Sequence, residues 1–127
     1  MWSYNQTSEF IKSIEEEKIS QQVVDAIQRW ATSVGRVQTN KTKHYFRSPK
    51  NKFEIWTGRI PDPDCNRGSS GGFRLVYFFN LSEQSIYLDK IERRKNLGSK
   101  SDHPKDQKKF TAYLEELKKY LLKELDL

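Results

Sequence analysis

The segment Phe73-Arg74-Leu75-Val76-Tyr77-Phe78-Phe79 is apolar or aromatic at every position but Arg74. In a strand, successive side chains point to opposite sides, so Phe73, Leu75, Tyr77 and Phe79 share one side and Val76 and Phe78 the other. A strand apolar on both sides belongs inside a sheet, not at its rim. The glycines Gly71 and Gly72 precede it, and Asn80 to Ser85 turns the chain back into Ile86-Tyr87-Leu88-Asp89-Lys90-Ile91, an adjacent hairpin strand. Upstream, Phe53-Glu54-Ile55-Trp56-Thr57 predicts a further strand that stops before Pro61, which has no amide proton for a sheet ladder. The turn formers Pro61-Asp62-Pro63-Asp64-Cys65-Asn66-Arg67-Gly68-Ser69-Ser70-Gly71-Gly72 then predict an exposed loop joining two strands.

Helices flank this centre. Thr7 or Ser8 can cap a short helix carrying Phe10, Ile11 and Ile14, and a second helix after Ser20 carries Val23, Val24, Ile27, Ala31 and Val34 before a C-capping Gly35. Residues 37 to 51 read as a basic, partly extended connection. After the polar stretch 98 to 106, Phe110, Tyr113, Leu114, Leu117, Leu121 and Leu125 mark an amphipathic C-terminal helix. The chain's 127 residues, 35% hydrophobic and 13% aromatic, suit a single α+β domain over 1–127.

Composition restricts the function classes. Lys and Arg exceed Asp and Glu by 23 to 17, a net charge of +6, which points to an anionic partner. One cysteine, Cys65, excludes an internal disulfide and a thiolate cluster; two histidines with no His-x-x-x-His or clustered acidic motif leave no metal site in view. Neither a leader nor a membrane-length apolar run is evident, so a cytoplasmic protein with no membrane partner is expected.

The cations gather around the sheet: Arg59 at one strand end, Arg67 in the loop, Arg74 on the central strand, and Arg93, Arg94 and Lys95 after the last strand. A run such as Arg93-Arg94-Lys95 suits either a solvated strand end or an anion site. Arg74, alone among apolar neighbours, needs a carboxylate, a carbonyl or solvent, because burying it unpaired is costly. A structural ion pair and a phosphate site both satisfy it.

The stretch Arg67-Gly68-Ser69-Ser70-Gly71-Gly72-Phe73-Arg74-Leu75-Val76-Tyr77-Phe78 resembles the loop and strand that HigB-like toxins of the RelE/ParE superfamily write as basic-Gly-Lys-Ser-Gly-Gly-aromatic-Arg-aliphatic-aliphatic-Tyr. The Ile86-Tyr87-Leu88 strand and its Arg93-Arg94-Lys95 exit resemble that family's last core strand, so the resemblance spans residues 53 to 97. Ser69 stands where the family usually has Lys. The resemblance implies N-terminal helices packed on a twisted antiparallel sheet, RelE-like, with an extra C-terminal amphipathic helix. It further implies the toxin of a type II toxin–antitoxin system: an mRNA interferase, active on the ribosome without metal or other cofactor and silenced by a cognate antitoxin. A ParE-like gyrase inhibitor and a noncatalytic basic RNA-binding module are the alternatives.

Cleavage by the 2′-hydroxyl needs a proton acceptor, a proton donor for the leaving oxygen, and cations around the phosphorane. Arg supplies only the last, so Arg59, Arg67, Arg74 and Arg94 are assigned to phosphate. Lys95, Lys52 and Lys90 are candidate proton carriers, since neighbouring cations depress a lysine's pKa, and Glu92 is the nearest carboxylate. Arg93, Lys43 and Tyr45 complete the expected RNA contacts. Tyr45, Phe46 and Trp56 could stack on bases, although core packing accounts equally well for Trp56. His44 and His103 read as surface residues, and Cys65 has no activating partner in view.

Overall fold

The computed structural model describes residues 3–34, 42–60, 72–93 and 104–125. Its elements are β1 (Ser3–Gln6), α1 (Ser8–Glu16), α2 (Gln21–Val34), β2 (Thr42–Arg47), β3 (Phe53–Ile60), β4 (Phe73–Asn80), β5 (Ser85–Arg93) and α3 (Pro104–Glu124). The strands form one five-stranded sheet in the order β1-β5-β4-β3-β2. β2 to β5 run antiparallel to their neighbours, and β1 runs parallel to β5 at the edge.

The helix signals act locally as expected. Thr7 takes an extended conformation and its Oγ1 accepts a hydrogen bond from the Phe10 amide at 3.1 Å, which caps α1. The Val23 amide donates to Ser20 Oγ at 3.4 Å at the start of α2. Gly35 and residues 61 to 71 lie outside the described residues.

β4 is central and covered on both sides. Phe73, Leu75, Tyr77 and Phe79 pack with Phe10, Val23, Val24 and Ile27 of the N-terminal helices. Val76 and Phe78 pack instead with Phe53, Ile55 and the α3 residues Phe110, Leu114, Leu117 and Leu121. The molecule is thus a three-layer stack with helices on both faces of a mixed sheet.

Two strands enlarge the sheet beyond the antiparallel core that the sequence predicts. β1 has only polar residues and one tyrosine, yet it adds to β5, with Ser3 Oγ and Ser85 Oγ 2.7 Å apart. β2 lies within the stretch read as a connection; Tyr45 and Phe46 anchor it to the α3 side of the core. Among the described residues no helix is long and apolar enough to cross a membrane, which leaves β-barrel membrane proteins untouched.

Candidate functional site

Strand register gathers the expected cations on the α3 face. Lys43 pairs with Thr57, Thr57 with Val76, and Val76 with Lys90, so one cross-strand rung has a lysine at each end. Arg59 pairs with Arg74, and Arg74 with Glu92, forming the next rung on the same face. Two residues separate the rungs, about 7 Å along the strands. Arg59, Arg74, Lys43 and Lys90 therefore converge at the sheet end where β4 begins.

Within this group the surroundings differ sharply. Arg59 and Lys43 are exposed, whereas the Arg74 side chain is only 12% exposed. An Arg74 terminal nitrogen lies 2.5 Å from Glu92 Oε1, and the guanidinium carbon sits 4.0 Å from the centroid of the Phe110 ring. Arg74 thus has the structural ion pair that was one of its two readings, with an aromatic ring laid over it.

A proton-carrying group lies beside this cluster. The β4–β5 register shifts after Val76, where Asp89 has no partner in the register, and this bulge sits beside α3. The buried Asp89 carboxylate accepts a hydrogen bond from the Tyr113 hydroxyl, and Lys90 Nζ lies 4.3 Å from the Tyr113 ring centroid. Burial pushes the Asp89 carboxyl above the usual range, while the Tyr113 bond pulls it back in part. Burial, and then the Asp89 charge, push the Tyr113 phenol well above its ordinary value. Neither residue was singled out from sequence, because the bulge and the α3 contact that define them are tertiary features.

On the β2 side the Tyr45 hydroxyl donates to Glu115. Burial, followed by Glu115, raises the Tyr45 pKa to about 12, and the same bond is the main cause holding the Glu115 carboxyl below its ordinary value. Lys118 Nζ stands 4.8 Å from the Phe46 ring centroid.

Other expected residues are placed elsewhere. Arg93 pairs with Phe73 on the opposite face, with its guanidinium 4.8 Å from that ring and 3.5 Å from the Glu17 carbonyl. Lys52 belongs to the turn before β3, at the far end of the sheet, where its amide donates to Ser48 Oγ at 2.7 Å. Trp56 is core: it is 7% exposed and its indole N–H donates to Glu54 at 3.1 Å. His44 is exposed, edge-on to Trp56 at 5.1 Å. Arg67, Arg94, Lys95, Ser69, Cys65 and His103 lie outside the described residues. Among the described residues no group of three or more His, Cys, Asp or Glu is arranged to hold a metal ion.

No protein-family model and no curated protein matches the sequence. Solved structures do resemble the fold. A chain of the archaeal RelE–RelB complex from Pyrococcus horikoshii superimposes with a TM-score of 0.50 at 10% identity, over 72% of this chain and 93% of that one. The toxin–antitoxin complex RelBE2 from Mycobacterium tuberculosis gives 0.47 at 14% identity, over 75% and 93%. A metal-bound toxin from Helicobacter pylori gives 0.42 at 14% identity, over 77% and 100%. The first of these similarities makes the fold RelE-like.

Proposed function

We propose that this RelE-like chain is the HigB-like toxin of a type II toxin–antitoxin pair, an endoribonuclease that cleaves mRNA on the ribosome and is held inactive by an antitoxin. The observation that carries the reading is the paired rungs Lys43–Thr57–Val76–Lys90 and Arg59–Arg74–Glu92, which concentrate cations on one sheet end of a RelE-like fold. Arginine forks there suit phosphate oxygens, and the sequence on either side of β4 and β5 carries the further cations Arg67, Arg94 and Lys95. Asp89 adds a carboxylate suited to proton transfer next to Lys90.

The test is incubation of the purified protein with translating ribosomes, followed by mapping of mRNA ends against a control without the protein. New ends in the treated sample are expected. Arg59→Ala should reduce the cleavage rate by about a hundredfold, the usual effect of losing one transition-state contact. It is the clean substitution, because Arg59 is exposed. Arg74→Ala and Arg94→Ala should likewise abolish growth inhibition. Intact mRNA with inhibited gyrase would replace this reading with a ParE-like one.

A noncatalytic RNA-binding module is the second reading. What favours it is the engagement of Arg74 by Glu92 and Phe110. RNA binding without new mRNA ends is its signature.

A further inference from the structure

The contacts of α3 with the cationic sheet end are those that a nucleic acid strand would make. Phe110 lays its ring on the Arg74 guanidinium at 4.0 Å, and Tyr113 offers its ring to the Lys90 ammonium at 4.3 Å. Glu115 supplies an anionic group that takes the Tyr45 hydroxyl. Two aromatic rings and a carboxylate thus stand over the cations and the tyrosine that would otherwise face bases and phosphates. Phe110 and Tyr113 are three residues apart, about 4.5 Å along the helix axis, so both rings come from its N-terminal half.

The two halves of α3 also share apolar packing: Phe110 and Leu114 of the first, and Leu117 and Leu121 of the second, join one cluster with Phe53, Ile55, Val76 and Phe78. Outward from the first half, Lys108, Lys109, Thr111 and Ala112 are exposed. Lifting the first half therefore breaks the Phe110 and Leu114 packing along with the contacts to the cations, while Leu117 and Leu121 keep the helix attached.

We propose that the N-terminal half of α3, residues 108–115, is an intramolecular competitor for single-stranded RNA: it occupies the cationic sheet end in the free protein and must lift for RNA to bind. This rests on the RNA reading of the site. Affinity for RNA is then the affinity of the open form multiplied by its population, so weakening the latch tightens binding by the same factor.

Two measurements test this, both on the full chain with a short single-stranded RNA oligonucleotide of mixed sequence at low salt. Tyr113→Phe removes only the hydroxyl that Asp89 accepts; losing such a bond shifts an equilibrium by about fivefold, and RNA affinity should rise by that factor. Phe110→Ala, which also uncovers Arg74, should raise it further. Hydrogen exchange should show the amides of 108–115 losing protection when RNA binds, while those of 117–124 and of β4 keep theirs. RNA binding with unchanged or increased protection at 108–115, or lower affinity in Tyr113→Phe, overturns the competitor and leaves the RNA reading standing. Absence of RNA binding by the parent protein and both variants, all folded, overturns the RNA reading and the competitor with it.

Discussion

At the scale of single residues, Asp89 has the most readily measured chemistry. Its carboxyl is raised mainly by burial, so between its ordinary pKa, near 4, and its value in the fold, the folded state holds more of the proton than the unfolded state does. Stability from this group is therefore full at low pH and is lost as pH rises through that window. Asp89→Asn abolishes the titration while leaving an acceptor for Tyr113. Its stability relative to the parent should climb as pH increases from about 4, with urea unfolding at a series of pH values as the measurement. A difference that stays flat with pH would mean that Asp89 ionises in the fold as it does in water. Glu115 acts in the opposite sense: its carboxyl is lowered, so its contribution is present above the ordinary value and is lost on acidification. Arg74 shows how far sequence reaches at this scale. A lone cation in an apolar strand announces that a partner is required, and Glu92 lies within reach in the next strand. The Phe110 ring belongs to a helix far along the chain, and no local pattern places it there.

At the scale of elements, β4 and the three helices are legible because each carries its own periodicity, dense with apolar residues. β1 and β2 are not. Ser3-Tyr4-Asn5-Gln6 shows no apolar alternation, and it becomes a strand only by pairing in parallel with β5, distant in sequence, while α1 and α2 carry the chain on to β2 at the opposite edge. Thr42-Lys43-His44-Tyr45-Phe46-Arg47 is so polar that it reads as a connection. The aromatic pair Tyr45-Phe46, split across a bulge, secures it as an edge strand whose charges discourage further pairing. One residue joins helix to sheet in a way that can be tested. Buried Ser13 on α1 donates to the Phe10 carbonyl at 2.8 Å and accepts from the Ile91 amide of β5 at 3.2 Å. Ser13→Ala leaves the Ile91 N–H buried without that acceptor, so unfolding free energy should drop by about 1–3 kcal/mol. Faster exchange of the Ile91 amide would assign the loss to this contact, and protection equal to the parent's would sink the assignment.

At the scale of the whole molecule, the sheet needs a cover on each face, and α3 is the cover of one. Phe110, Leu114, Leu117 and Leu121 bury their side chains against Phe53, Ile55, Val76 and Phe78. At about 2 kcal/mol for each α3 side chain, the total is on the order of 8 kcal/mol as an upper bound, comparable with the entire stability of a small domain. A chain ending at residue 103 should therefore unfold or self-associate through the bared face, seen as oligomers in sedimentation or loss of the cooperative urea transition. The helix's two halves should contribute unequally. Leu121 is 2% exposed in the cluster with Phe53, Ile55, Val76 and Phe78, so Leu121→Ala should cost about 3 kcal/mol. Phe110→Ala gives up apolar burial too, but it also releases Arg74 to solvent beside Glu92, which offsets part of the loss; its cost should fall below that of Leu121→Ala. If Phe110→Ala proved the more destabilising of the two, the first half of α3 would be the firmer anchor, and a sheet end that opens by lifting those turns would lose its energetic basis.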